Sequence, residues 1–176
     1  QENESSAYLD FNHSEITALE INHDKLIKQE IANCYGIDKK NKDFLSTLIP
    51  NIQYKHIVTI LIDILSDGFH VNFSTPNEFE ITVIENKKLI FFNRFISENT
   101  DESLYYLSLV AEKLKLDIHN LKLSLSGMIS PKDENFLFWS QFIPKENLNF
   151  NEIETSQMNA ISTHRFFTLH KQIQCV

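Results

Sequence analysis

Three successive apolar runs stand out along the chain. They lie at residues 69–73, 79–83 and 89–95. In the first run Phe69, Val71 and Phe73 alternate with polar residues, which predicts a strand because successive side chains of a strand point to opposite faces. Short polar gaps at residues 74–77 and 85–87 predict tight turns. The three runs together therefore predict an antiparallel meander.

The pattern then changes to the period of a helix. Its apolar stripe consists of Leu104, Leu107, Val110, Ala111 and Leu114. Thr100 is the predicted N-cap, and Asp101 and Glu102 fall in the first turn, where the helix dipole favours negative charge. Alternating leucines from Leu121 to Leu125 predict a returning strand that ends at Gly127.

Weaker patterns on both sides of this unit predict further elements. Before it we expect three extended segments, at Thr17–Ile21, Asp24–Gln29 and Ile31–Ile37. A helix capped by Asp38 should follow and stop at Pro50. A second helix should cover Lys55–Ser66, with Gly68 as its C′ residue. After it we expect a short helix capped by Asp133 and ended by Pro144, an edge strand at Asn147–Phe150, and a helix over Ser156–Gln174. The order of these elements indicates a mixed α/β fold.

Composition narrows the class of protein. The 176 residues are 42% hydrophobic, which is enough for a packed core in one domain or two small ones. The net charge is −8 and no basic patch is visible, so we expect neither nucleic acid nor an anionic membrane as a partner. The longest apolar run, Ile57–Leu65, is too short to span a bilayer. Two cysteines and a polar N-terminus without a signal peptide predict a cytoplasmic protein.

Few residues point directly to chemistry. The three glycines form no phosphate-binding motif, and the seven histidines show no metal-binding spacing. Cys34 lies in an apolar run, which favours a core position over a nucleophile. Tyr105 and Tyr106 are adjacent on the predicted helix, so one of them should be partly exposed.

Four segments resemble an uncharacterised bacterial family, domain of unknown function 3822. They are LIFFNRF at 89–95, DESLYYL at 101–107, LSLSG at 123–127 and HRFFTL at 164–169. That family resembles the actin-like ATPase fold, which has two lobes. The resemblance implies that residues 1–66 are the remainder of a first lobe and residues 67–176 a second lobe. It also implies that the opening strands of the first lobe would precede Gln1.

The same resemblance indicates where a nucleotide would bind. In active members the turn between the first two strands of a lobe carries an aspartate and glycines that hold phosphate and metal. Here Ser74 and Thr75 could contact phosphate, but Pro76 has no N–H and a plain type I turn is the alternative. Ser126 and Gly127 correspond to the start of the adenosine-contacting loop. The alternative interpretation is that Gly127 is needed only for a tight turn where the chain leaves the strand. ATP and Mg²⁺ are the implied cofactors of an active member, and no cofactor is expected of an inactive one.

Three functions follow as hypotheses. The first is a catalytically degenerate scaffold or regulatory module, with an unidentified protein partner and with Asn93 and Arg94 as candidate contacts, an edge position being their alternative. The second is an ATP-binding protein or ATPase that uses groups from a first lobe preceding Gln1. The third, a sugar-kinase-like enzyme, needs a catalytic aspartate, and Asp101 fits a first-turn helix residue better.

Overall fold

The computed structural model describes residues 19–26, 30–153 and 162–173. The chain divides into two compact units, residues 1–63 and 64–176. The strands are β1 (Leu19–Leu26), β2 (Ile31–Asp38), β3 (Gly68–Thr75), β4 (Glu78–Glu85), β5 (Lys88–Ile96), β6 (Leu123–Gly127) and β7 (Leu148–Phe150). The helices are α1 (Lys39–Leu48), α2 (Ile57–Ile64), α3 (Thr100–Lys113), α4 (Glu134–Trp139) and α5 (Phe167–Ile173), with single 3₁₀ turns at Ile118–Asn120, Lys145–Asn147 and Thr163–Phe166.

The first unit is built on a hairpin of β1 and β2. The two strands pair antiparallel along their whole length, from Leu19 opposite Asp38 to Leu26 opposite Ile31. Three short extended segments were predicted here, and the structure replaces them with two strands of eight residues each. The predicted positions 17–18 and 27–29 lie outside the described residues.

One carboxylate holds the hairpin to the start of α2. Asp24 accepts hydrogen bonds from the Tyr35 hydroxyl at 3.1 Å, the His56 backbone N–H at 2.7 Å and the Thr59 hydroxyl at 2.8 Å. Burial and the neighbouring Asp24 together raise the pKa of Tyr35 to about 12, because both disfavour a phenolate. This network of local polar contacts was not visible from the sequence pattern.

The two predicted helices of the first unit are present. Asp38 caps α1 through a 2.9 Å bond from the Asn41 N–H, and the helix ends before Pro50, as predicted. Helix α2 lies within the predicted range but ends four residues before Gly68. Gly68 is therefore not its C′ residue. It begins β3 instead with φ of +148°, a conformation open to glycine because it lacks a Cβ.

The second unit contains a five-stranded mixed sheet in the order β5-β4-β3-β6-β7. Strands β3, β4 and β5 form the predicted antiparallel meander. Strand β6 returns beside β3 in parallel, and β7 pairs in parallel with β6 as the predicted edge strand. A parallel neighbour requires a crossover connection, which α3 supplies between β5 and β6. The fold class predicted from the sequence, mixed α/β, is confirmed.

The core lies on one face of this sheet, beneath α3 and α4. Its centre is aromatic, with the Phe73 ring 5.2 Å from Phe79 and 5.5 Å from the fully buried Trp139. From α3 it receives Leu107, Val110 and Ala111. Each buried side chain of leucine size contributes about 1.5–3 kcal/mol before conformational entropy is subtracted. The predicted apolar stripe of α3 is thus the face that packs.

Several predicted helix boundaries were wrong. Asn99, not Thr100, is the N-cap of α3, because its side chain accepts the Glu102 N–H at 2.9 Å. The Glu102 carboxylate in turn accepts the Glu98 N–H at 2.7 Å. Asp133 occupies the N-cap position of α4 but its side chain makes no capping bond. That helix ends at Trp139, and a turn rather than Pro144 stops it.

The remaining predictions concern exposed positions and the C-terminal segment. Tyr105 is 59% exposed while Tyr106 packs against the core, as the adjacency of the two tyrosines required. Asp101 is exposed in the first turn of α3, as predicted. Of the predicted helix over Ser156–Gln174, the described part comprises the 3₁₀ turn and α5. Residues 156–161 and 174 of that prediction lie outside the described residues.

Candidate functional site

The turn between β3 and β4 is displaced by one residue from its predicted position. Thr75 pairs with Glu78, so the two turn residues are Pro76 and Asn77, and both Ser74 and Thr75 belong to β3. The strand carries a bulge here, because the register shifts between Phe73 and Thr75 and leaves Ser74 as the extra residue. Bulges redirect side chains at strand ends, which is why periodicity alone misplaced the turn.

The polar groups of this turn are bonded within the chain. Pro76 has no N–H, and the Asn77 N–H donates to the Thr75 hydroxyl at 3.3 Å. The Pro76 carbonyl accepts a bond from the Asn135 side chain at 2.9 Å, and the Asn77 carbonyl accepts the Ser97 N–H at 2.8 Å. A phosphate-binding turn presents several free backbone N–H groups to its ligand. This turn presents none at its two central residues.

Gly127 is required by the packing of β6 against β3. Its φ is +83°, and a Cβ at this position would lie 2.1 Å from the Phe73 carbonyl oxygen. The next residue, Met128, donates its N–H to that same oxygen at 2.8 Å. The close approach of two backbones therefore explains the glycine without a ligand.

Asn72 lies on β3, two residues before the bulge at Ser74. Its side-chain oxygen accepts the Ser126 hydroxyl at 3.0 Å and the Thr168 hydroxyl at 3.3 Å. Its amide nitrogen donates to Glu80 at 3.3 Å. The Ser126 hydroxyl, which the sequence marked as a candidate nucleotide contact, is thus bonded to Asn72.

The acidic side chains nearest the turn are held by one arginine. Arg94 reaches across from β5 and donates from Nε at 3.0 Å and Nη2 at 2.5 Å to Glu80. Its Nη1 lies 3.3 Å from Glu78. The Glu80 side chain is only 5% exposed, so its charge needs this partner, and the same hydrogen bonds raise the pKa of Arg94.

The two residues singled out as candidate contacts lie on an outer strand of the sheet. Asn93 and Arg94 are both exposed on β5, and the Asn93 side chain accepts the Arg94 backbone N–H at 3.0 Å. Sequence reasoning found this polar pair but missed its carboxylate partners. The sequence did contain an indication of this contact, because Glu80 is likewise a charged residue inside an apolar strand. The register of β4 and β5 brings it opposite Arg94.

Two adjoining cavities lie around the turn. The smaller, of about 290 Å³, is lined by Ser74 and Gly127 together with residues of the C-terminal helical segment. The larger, of about 440 Å³, lies beside Pro76 and Asn77 and the first residues of α3 and α4. Arg165 lines both. Of the four sequence-predicted nucleotide contacts, the structure brings Ser74 and Gly127 into one cavity, whereas Thr75 and Ser126 line neither.

The remaining candidates for chemistry are metal-ligating side chains and the thiol of Cys34. Among the described residues no group of three His, Cys, Asp or Glu side chains is placed to hold a metal ion. Cys34 is a free, half-buried thiol whose pKa is raised by burial, which lowers its reactivity at neutral pH. In the part of the chain that the structure describes, no helix is long and apolar enough to cross a membrane.

Comparison with known proteins defines first the fold and then the family. A solved structure from Bacteroides thetaiotaomicron, described as a protein with actin-like ATPase fold and unknown function, is similar to the chain with a TM-score of 0.76 and 19% sequence identity. The similarity covers 100% of this chain and 66% of that one, so this chain spans just under two thirds of its length. The fold is therefore that of the actin-like ATPases.

Residues 1–145 match the family described as protein of unknown function, DUF3822. The match covers most of the chain, and the chain belongs to this family. The segment at residues 164–169, which also resembled the family in sequence, lies beyond the matched region and stays a prediction. No curated protein matches the chain.

Proposed function

We propose that this chain is a catalytically degenerate actin-like domain that acts as a scaffold or regulatory module through protein–protein contacts. The turn between β3 and β4 carries the proposal. Pro76 has no N–H to donate, and the Asn77 N–H is already bonded to Thr75. A phosphate at this turn would find no free backbone donor at either central residue. The proposal includes the assignment of residues 1–66 to the remainder of a first lobe and 67–176 to a second lobe.

The charges around the turn support the same conclusion. Magnesium bound to a nucleotide needs free carboxylate oxygens. The two carboxylates of β4 nearest the turn, Glu78 and Glu80, both face the guanidinium of Arg94. Asn72 on β3 supplies an amide rather than a carboxylate, and its oxygen is bonded to two hydroxyls. Holding Mg²⁺ here would require breaking an ion pair whose carboxylate is buried.

A domain that does not bind nucleotide can still act by binding a protein partner, which is the function proposed for it. Asn93 and Arg94 remain candidate contacts, because both are exposed on an outer strand and half of the Arg94 side chain stays accessible. The free thiol of Cys34 favours a reducing compartment, so the proposal places the protein in the cytoplasm.

One observation favours the rival function, an ATP-binding protein or ATPase that also uses a first lobe. Ser74 and Gly127 line the same cavity, and Arg165 lies there as well. A guanidinium and a hydroxyl are suitable phosphate ligands. The two proposals differ in a measurable way, because only the rival requires that ATP stabilise the fold.

Thermal unfolding of the full-length protein with and without Mg²⁺ and ATP distinguishes them. A ligand present at a hundredfold excess over its Kd adds about 2.7 kcal/mol to the free energy of unfolding. We expect no increase with millimolar ATP. A clear increase that disappears in the double variant Ser74→Ala, Thr75→Ala would refute the degenerate assignment. Thr47→Ala, an exposed hydroxyl on α1, is the matched control and should leave any increase unchanged.

A further inference from the structure

Arg165 is a cation without a partner in the part of the chain that the structure describes. Its backbone N–H bonds to the Ser162 carbonyl, while its guanidinium makes neither a hydrogen bond nor an ion pair with any described residue. It is the one charged residue that lines the 290 Å³ cavity at the ends of β3 and β6. The other polar groups there, on Asn72, Ser74, Thr168 and Gln172, are neutral.

Exposed apolar side chains surround this charge. Met128 is 51% exposed and Leu169 is 55% exposed, and both line the same cavity. Phe166 and Ile173 are exposed as well, three residues before and four residues after Leu169. That spacing places the three side chains on one face of the C-terminal helical segment. We name these five residues, Arg165 included, the Arg165 surface.

This combination is typical of a protein-binding surface rather than of ordinary solvent-facing structure. Arginine, methionine and aromatic residues are enriched in protein interfaces, where a few of them provide most of the binding energy. Contiguous exposed apolar side chains cost solubility unless they are covered by a partner. The stripe contains Phe166, Leu169 and Ile173 without an intervening charge on that face.

The charges specify what the partner must present. The protein carries a net charge of −8, so an unpaired guanidinium in a neutral cavity is a local site of opposite sign. The adjoining 440 Å³ cavity is different, because its lining contains three acidic residues, Glu98, Asp133 and Glu134, against one further cation, Lys132, and is less favourable for an anion. A carboxylate is therefore favoured on the β3 and β6 side of Arg165, where a guanidinium can bind it with two parallel hydrogen bonds.

We propose that the Arg165 surface binds a segment of a partner protein in which an Asp or Glu side chain lies next to an apolar side chain. The carboxylate pairs with Arg165, and the apolar side chain packs on Met128 and Leu169. The inference rests on the proposed function, since it names the kind of partner that the degenerate domain binds. It assigns a role to the C-terminal segment, which lies outside the region matched by the family.

The test is an NMR titration of the full-length, ¹⁵N-labelled protein with two capped peptides. The first probe is acetyl-Glu-Leu-Leu-Glu-amide, and the second is its uncharged counterpart, acetyl-Gln-Leu-Leu-Gln-amide. We expect the acidic peptide to shift the amide signals of Met128, Thr168 and Leu169. Its Kd should rise about tenfold or more in Arg165→Gln, and the glutamine peptide should bind correspondingly more weakly to the natural protein.

Two control variants keep the outcome interpretable. Arg165→Gln changes an exposed side chain, so its spectrum should show an intact fold. Lys122→Gln removes an exposed lysine that lines a different cavity and should not change the affinity. Leu169→Ser should weaken both peptides, because it removes apolar contact rather than charge.

The inference is overturned if about 10 mM acidic peptide shifts none of these signals, or if Arg165→Gln and the natural protein bind it equally. A parallel titration with Mg²⁺ and ATP separates this failure from failure of the proposed function. Shifts caused by ATP at Ser74 and Gly127 would refute the degenerate assignment. Absence of both responses would refute the docking surface alone.

Discussion

The guanidinium of Arg94 binds the buried carboxylate of Glu80, with Nε at 3.0 Å and Nη2 at 2.5 Å from the same oxygen. The contact joins β5 to β4 near the turn between β3 and β4. It stabilises the pairing of the two strands and compensates the charge of the buried Glu80 carboxylate.

Arg94→Gln should lower the free energy of unfolding by about 2 kcal/mol, because it leaves the Glu80 charge buried without its partner. Chemical denaturation at neutral pH measures this loss. Lys88→Gln, on an exposed end of the same strand, is the matched control and should change stability by less than about 0.5 kcal/mol. The double variant Glu80→Gln, Arg94→Gln should recover part of the loss, and equal stability of the single and double variants would contradict the account.

Asn72→Asp places an acidic residue in β3, next to Glu80. We expect it to destabilise the protein by about 1–2 kcal/mol at pH 7, since the new carboxylate would lie beside Glu80, which now accepts a bond from the Asn72 amide at 3.3 Å. Equilibrium unfolding measures the change, and Asn149→Asp on the exposed side of β7 is the control. A stable Asn72→Asp variant that gains ATP binding would show that the site is closer to function than proposed.

Gly127→Ala should cost about 3 kcal/mol, because its Cβ would lie 2.1 Å from the Phe73 carbonyl oxygen at a φ of +83°. Gly36→Ala is an informative comparison. There the Cβ would lie 2.7 Å from Cδ1 of Leu19, which can move, and 3.3 Å from the Cβ of Leu19, with no backbone atom among its nearest neighbours, and we expect a loss of about 1 kcal/mol. Similar stabilities of the two variants, measured by thermal unfolding, would contradict the backbone argument.

His70 should make stability depend on pH. Its ring is buried, Nε2 lies 2.8 Å from the Ser66 carbonyl oxygen, and burial lowers its pKa below the usual value. The folded protein therefore binds a proton less readily than the unfolded chain does. The contribution of His70 is fully present above the unfolded pKa of about 6.5 and is lost as the pH falls through the lower folded value.

Denaturation series at several pH values, run on the natural protein and on His70→Gln, isolate this contribution. The difference in stability between the two proteins should shrink as the pH falls below about 6.5. His119→Gln, which changes an exposed histidine, should follow the natural protein over the same range. A constant difference between His70→Gln and the natural protein would show that His70 does not titrate as described.

Much of the fold was predictable because it follows from periodicity. The alternation at Phe69, Val71 and Phe73 and the apolar stripe of α3 are local consequences of burying one face. The bulge at Ser74 was not predictable, since it depends on how β3 meets β4 and leaves no mark on hydrophobic spacing. The same limit applies to the N-cap, where Asn99 and Thr100 are both suitable residue types and only backbone geometry selects one.

The candidate site was less predictable than the fold. The glycine-poor turn and Pro76 could be recognised directly, because the properties of proline and glycine are local. The Arg94–Glu80 contact and the cavity that joins Ser74 to Arg165 arise between residues far apart in sequence. Finding them requires the register between the strands and the position of the C-terminal segment, which the structure supplies and hydrophobic spacing does not.

Isothermal titration calorimetry of the full-length protein with ATP in the presence of Mg²⁺ tests the central claim most directly. The degenerate assignment predicts no saturable heat of binding with millimolar nucleotide, for the natural protein and for the Ser74→Ala, Thr75→Ala variant alike. Saturable binding by the natural protein that is lost in this variant, and kept in Thr47→Ala, would contradict it.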